Sequence, residues 1–126
     1  MANNDQAIKV VNIREKLSLF SEYWNPKIVG ELNNHKVQVA KLNGEFNWHH
    51  HDNEDELFIV VKGELIIHLT DHDLIVHEGE FVIIPHPVEH KPEAKEEVHI
   101  VLVEPKTALN TGNMVTKNTV GKQDII

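Results

Sequence analysis

The sequence predicts an all-β fold, a sandwich or barrel of short strands, preceded by one short helix. Three observations carry this. Seven short segments are rich in Val and Ile: "KIVGEL", "KVQVAKL", "ELFIVVKG", "ELIIHLT", "DLIVHEG", "EFVIIP" and "EVHIVLVEP". Turn signals separate them at Asn33-Asn34, Asn43-Gly44, Lys62-Gly63, Asp71-His72-Asp73, Glu78-Gly79 and Pro85-His86-Pro87, the spacing of a sandwich or barrel. No helical periodicity lies between them, which argues against a parallel α/β sheet.

The elements follow in chain order. Asn12 is a helix cap with Glu15 three residues on, and Ile13, Leu17 and Phe20 repeat at helical spacing, so a helix is expected over about residues 12–22. Asn25-Pro26 ends it, because proline disfavours helix in the residue before it. Strand texture begins at Ile28. Val37/Val39 and Leu65/Ile67/Leu69 alternate, the mark of a sheet with one buried face. Phe58, Val60, Phe81 and Ile83 also alternate and are expected to face the core or to wall a pocket. After Pro105 the chain turns polar, with Met114, Val115, Val120, Ile125 and Ile126 as anchors for packing over the barrel or onto a second subunit. The expectation is one domain over residues 1–126, with the barrel over about 28–104 and a C-terminal extension over 105–126.

Composition excludes several function classes. The 126 residues suit a single core, and a net charge of −8 opposes nucleic-acid binding. Arg14 is the only arginine, so bidentate clamps for a phosphorylated substrate are scarce. With no cysteine, disulfides, thiolate metal sites and cysteine nucleophiles are all absent. "MANNDQAIKV" lacks the basic start and apolar core of a secretory signal, and no apolar run approaches the roughly 20 residues of a membrane span. A cytoplasmic protein with no membrane partner is expected.

Nine of the ten histidines lie between residues 49 and 99. In an extended segment residues i and i+2 share a face, so "HHH" divides into a pair, His49 and His51, with His50 pointing the other way. Two imidazoles on one face can meet one metal at about 2.1 Å. Glu56 opens the next strand and would add an oxygen. His90, in "GEFVIIPHPVEHKP" after a strand that ends at Pro85, is the best candidate for a fourth ligand.

Gly44, His49, His51, Glu56 and Gly63 resemble the first motif of the cupin superfamily: a glycine, His-x-His, a gap, a Glu, then six residues and a glycine. Gly79, five residues, Pro85 and then His90 resemble the second. The resemblance covers roughly Val37 to Glu104. It implies a double-stranded β-helix, the jelly-roll antiparallel barrel, in which His49, His51, Glu56 and His90 bind one divalent transition metal inside. The small stand-alone architecture is similar to mannose-6-phosphate-isomerase-like cupins in barrel type, and such small cupins commonly form homodimers. Two positions depart from the pattern: Pro87 stands where a glycine is usual and Ala94 where an asparagine is usual. His50-x-Asp52 also fits the first motif's spacing, and Phe46 and Trp48 share its parity, but His49 and His51 supply two imidazoles. Trp48 is then expected outside the barrel.

The remaining polar residues are read more plainly. His50, His72, His77 and His86 are expected at the surface, with His86 near enough to the site for a substrate contact. His68 and His99 are expected as hydrogen-bonded sheet residues. Asp52, Glu54 and Asp55 form a solvated loop, or hold the ligand rings from outside. Three neutral imidazoles and one carboxylate suit Fe, Mn, Ni, Cu or Zn and leave a divalent ion with one net positive charge, which favours an anionic, oxygen-ligating small molecule. Among cupins with this ligand set, dioxygenase chemistry is the commonest theme. A metal-dependent binding module for a sugar or small acid, or an ion that only braces the barrel, are the alternatives. No general base is evident beyond Glu56, and Tyr23 is the only tyrosine a pocket could recruit.

Overall fold

The computed structural model describes residues 8–126. Helix α1 runs Ile13–Leu17, and Asn12 caps it by accepting the Glu15 backbone N–H at 3.0 Å. It stops well short of residue 22: the Ser18 N–H already turns back to the carbonyls of Arg14 and Glu15. Seven strands follow: β1 Lys27–Leu32, β2 His35–Glu45, β3 Glu56–Lys62, β4 Leu65–His68, β5 Asp73–Val76, β6 Phe81–Ile84 and β7 Lys91–Pro105. All pair antiparallel.

β7 is the seam. One edge pairs with β2 from Glu93 to Pro105, with a bulge opposite Asn43; the other pairs with β4 at Lys91–Glu93 and with β3 at His99–Val103. β1 flanks β2, β6 flanks β3 and β5 flanks β4. The result is a jelly-roll type of antiparallel β-barrel. Its interior is filled by one cluster that includes Leu42, Phe58, Leu65, Ile67, Val98, Ile100 and Leu102. A second cluster lies on the outer face, where Leu17 of α1 meets Val29, Val39 and Val101.

Two sequence expectations are corrected here. Val37 and Val39 face the outer cluster, and it is Ala40 and Leu42 that line the interior, so β2 is covered on both faces. On β6, Phe81 and Ile83 are more than half exposed, while Ile84 is buried and Val82 packs on the inner core. The register explains this: Phe58 lies opposite Val82 and Glu56 opposite Ile84, and directly opposed antiparallel residues share a face.

Gly63, at φ +89°, makes the turn between β3 and β4, where a Cβ would sit 3.0 Å from the Glu97 carbonyl oxygen. After β7 the chain crosses the barrel and returns to β1. The Ile28 N–H donates to the Asp124 carbonyl at 2.9 Å, and the Ile126 N–H donates to the Ile28 carbonyl at 3.0 Å. Among the described residues, no helix is long and apolar enough to cross a membrane.

The β6 register makes a direct prediction. In urea denaturation, Ile84→Ala should cost about 2–5 kcal/mol, as for other buried Ile truncations. Ile83→Ala, on the exposed face, should cost under about 1 kcal/mol. Equal losses would contradict the inward face assigned to Ile84.

Candidate metal centre

β2 ends at Glu45, and the three residues after it leave the strand pattern. That break lets Phe46 and His49 both turn inward, although simple alternation would set them on opposite faces. His49 and His90 form an isolated antiparallel bridge: each backbone N–H donates to the other's carbonyl, at 3.0 and 2.9 Å. The bridge joins the arm that carries the histidine triplet to the arm that follows β6. His51 lies two residues past it, and Glu56 opens β3. The His86–Pro87 peptide is cis, and the turn with proline at position 87 still delivers His90 to the interior.

His49, His51, Glu56 and His90 form a buried cluster in which one potential ligand atom from each lies within 4.8 Å of the others. All four are at most 4% exposed, so water does not satisfy them from outside. The Nδ1 atoms of His49 and His90 lie 3.0 Å from the Asn47 carbonyl and 2.9 Å from the Val88 carbonyl. A carbonyl only accepts, so both Nδ1 atoms donate, and each Nε2 is left as a lone pair. His51 Nε2 and His90 Nε2 each stand 3.4 Å from Glu56 Oε1, and these three buried atoms have no hydrogen-bond partner. Native interiors seldom leave such atoms unmade. Nitrogen and carboxylate donors converging in this number fit a divalent transition ion.

Burial and the one carboxylate pull two of the rings in opposite directions. Burial, aided by His90, pushes His49 down to about 4. Burial also works against charge on His51, but the Glu56 carboxylate beside it prevails and raises its pKa. Glu56 is pushed up by burial, yet the neighbouring His51, His90 and Glu104 hold it well below the ordinary carboxylate range.

The structure separates the remaining candidates. His50 turns outward, with Nδ1 2.7 Å from Glu89 and Nε2 2.9 Å from Asp52. His86 bonds Asp55 at 2.6 Å and is exposed. His68 lies between Asp73 and Glu93, His99 bonds Glu97, and His72 and His77 are exposed. Backbone carbonyls hold the rings of His49 and His90, a role that Asp52, Glu54 and Asp55 do not take. Tyr23 donates to Glu97 and lies at the surface. Trp48 is partly exposed, outside the barrel.

Phe58 takes both the core and the pocket-wall places expected of it, while several other residues of the site were not singled out from the sequence. A cavity of ≈ 30 Å³ adjoins the cluster, walled by Trp24, Leu42, Phe46, Phe58, Ile100 and Leu102, with Glu104 and Asn110 as further polar groups. Trp24 adopts φ 58°, stacks on Phe46 at 4.7 Å and donates its indole N–H to the Asn43 carbonyl at 2.8 Å. Glu104 lies inside the barrel beside Glu56. Burial and the charge on Glu56 hold its carboxyl well above the ordinary range, which favours the protonated form. Gln38 Nε2 donates to Glu104 Oε2 at 3.2 Å, and Lys36 Nζ stands 3.6 Å from the same oxygen. Parity signals this group: Val98, Ile100 and Leu102 point inward, and Glu104 continues that row.

An antiparallel jelly-roll barrel with an interior His₃Glu cluster defines the cupin class of proteins. This chain belongs to the cupin domain family, whose pattern matches residues 36–104. It is 32% identical over 110 residues to the uncharacterised Bacillus subtilis protein YdbB, covering 86% of this chain and 91% of that one. It is similar to a crystal structure of a cupin-2 domain protein from Shewanella frigidimarina, at 43% identity and TM-score 0.76, covering 77% of this chain and 95% of that one. A Neisseria meningitidis protein matches at 27% identity and TM-score 0.69, covering 78% of this chain and 100% of that one.

Glu104 gives the second prediction. Glu104→Ala strips a partner from buried Gln38 and Lys36 and should lower stability by about 1–3 kcal/mol in urea denaturation. Glu104→Gln, which keeps the shape and a donor, should cost clearly less. Equal costs would show that Glu104 matters only for the space it fills.

Proposed function

We propose that this cupin holds one divalent transition ion on His49, His51, Glu56 and His90 and acts on a small anionic molecule that ligates through oxygen, with dioxygenase-type chemistry. The observation that carries the reading is the set of three buried, unpartnered atoms, His51 Nε2, His90 Nε2 and Glu56 Oε1, converging on one point. When bound, the ion supplies Lewis acidity and, as iron or manganese, dioxygen activation at the positions four protein ligands leave free.

The chain's own residues do the rest. The carbonyls of Asn47 and Val88 fix two imidazoles in the tautomer that presents Nε2. Glu104, whose carboxyl burial and the Glu56 charge hold well above the ordinary range, stands at the cavity wall beside Glu56. Trp24, Phe46 and Phe58 exclude bulk water, which strengthens every electrostatic interaction inside. A second reading is an ion that only braces the barrel. The size of the cavity favours it: ≈ 30 Å³ accepts about two waters, at roughly 10–15 Å³ each.

Protein purified without a histidine tag should carry about one transition metal per chain by elemental analysis, because one site is proposed. His51→Ala or His90→Ala should lose most of it, and undiminished metal in both folded variants would sink the ligand assignment. Oxygen uptake by the iron- and manganese-loaded forms with enediols, flavonols and thiols separates catalysis from bracing; no uptake with any of them favours the brace.

Binding should also depend on pH. A raised pKa means that His51 keeps its proton to higher pH than an ordinary histidine, so proton competition begins above about 6.5. Affinity should therefore rise with pH through that window and fall as pH drops through it. Zinc titrations at several pH values measure this, and a flat profile between pH values of about 5 and 8 would contradict it.

A further inference from the structure

The C-terminal segment after β7 carries no predicted ligand, yet it is built into the site. The Asn113 N–H donates to the His50 carbonyl at 2.8 Å, and Asn113 Oδ1 accepts the His50 N–H at 2.8 Å. Both backbone groups of the residue between His49 and His51 are thus held by one asparagine. Gly112 packs flush behind it: at φ +59°, a Cβ there would lie 2.9 Å from His49 Cδ2 and would collide with the His50 carbonyl. Thr111 is fully buried, and Asn110 lines the cavity. Further along, the segment is fastened to β1 and β2. Lys36 Nζ donates to the Ala108 carbonyl at 2.8 Å and to Gln123 Oε1 at 2.6 Å, and buried Lys27 pairs with Asp124 at 2.9 Å. His50 completes the arrangement from its other side, where its ring meets Glu89 on the arm that carries His90.

We propose that residues 106–126 form a strap with two roles: its Gly112–Asn113 turn positions the His49–His51 arm, and its departure opens the metal pocket. This rests on the metal reading above for its consequence and on the hydrogen bonds alone for its geometry. The pocket walls differ in how they can move. Leu42, Phe58, Ile100 and Leu102 sit in paired strands, and displacing them breaks ladder hydrogen bonds. Asn110 sits in a segment of turns attached at separate points, by paired bonds at His50 and at Ile28 and by side-chain contacts of Lys27 and Lys36, with no continuous ladder. A cavity of ≈ 30 Å³ holds only a few atoms; of its walls outside the ladders, Trp24 and Phe46 are stacked on each other and Trp24 is bonded to Asn43, whereas Asn110 belongs to the strap, which can leave as a unit.

The test uses the full chain with Asn113→Ala, next to the site, and Asp124→Ala, at the far end of the strap and away from every ligand. In metal-free protein, hydrogen exchange is read at the His49 and His90 amides, which bond each other and not the strap. Asn113→Ala should accelerate both while the fold stays intact by circular dichroism. In zinc-loaded protein, release to EDTA should speed up by about 10–100-fold in Asn113→Ala, the range seen when groups that orient metal ligands are removed. Release should speed up severalfold in Asp124→Ala, which a local effect at His50 would not produce. Unchanged amide exchange at His49 and His90 in folded Asn113→Ala overturns the positioning role. Parental zinc release in folded Asp124→Ala overturns the opening role. If the parent protein takes up no zinc, the metal reading and with it the opening role fail, while amide exchange still decides the positioning role. Should Asn113→Ala fail to fold, Asn113→Asp, which keeps the acceptor oxygen, must restore parental exchange, and faster exchange in that variant overturns the proposal.

Discussion

The two hydrogen bonds exchanged by His49 and His90 are the constraint on which the site depends. They fasten two arms that arrive from different hairpins, and they fix where two imidazoles enter the barrel. Everything else in the cluster is placed relative to them. His51 follows two residues later on the same face, and Glu56 is set by the β3–β6 register. A backbone bridge suits this purpose because side-chain position then depends on few torsions. The fixed tautomers of His49 and His90 follow from the same geometry, since the carbonyls that receive their Nδ1–H groups belong to residues just upstream of each bridge partner.

The fold holds that bridge in place by making β7 central. A strand paired along both edges cannot shift register without exposing the inner cluster, because a one-residue slip turns every side chain to the other face. The outer cluster under α1 adds a second restraint by covering the back of β2 and β7. Burying this many polar atoms is costly, and the barrel limits the cost by gathering them at one end. Lys36, Gln38 and Glu104 form a polar layer next to Glu56, while Leu65, Ile67 and Val98 fill the interior elsewhere. Within that layer burial and the charge on Glu56 raise the pKa of Glu104, which opposes a second negative charge beside the first.

The strands and the four-residue cluster were legible because each has a local signal. Val- and Ile-rich runs between turn residues gave the strands, and glycine spacing singled out Glu56 among the four acids beside the histidines. What the sequence concealed depends on register and on distant segments. Phe81 and Ile83 read as the inward face of β6 until the pairing of Phe58 with Val82 set the parity. Phe46 joins the pocket because β2 ends one residue before it, a boundary that alternation cannot locate. Helix α1 is shorter than its apolar spacing suggests because the chain turns back at Ser18. The residues after Pro105 are polar and rich in turn formers, and such composition describes a loop equally well wherever it packs.

That polar segment changes what the pocket means. A metal cluster inside a barrel of paired strands would be sealed by construction, and a ligand could enter only at the cost of broken sheet. Here one wall belongs to a segment with its own set of separable attachments, and those attachments run from the imidazole arm to the first strand. Asn110 at the cavity and Asn113 at His50 lie three residues apart in one segment, so the proposed opening would couple access to ligand geometry.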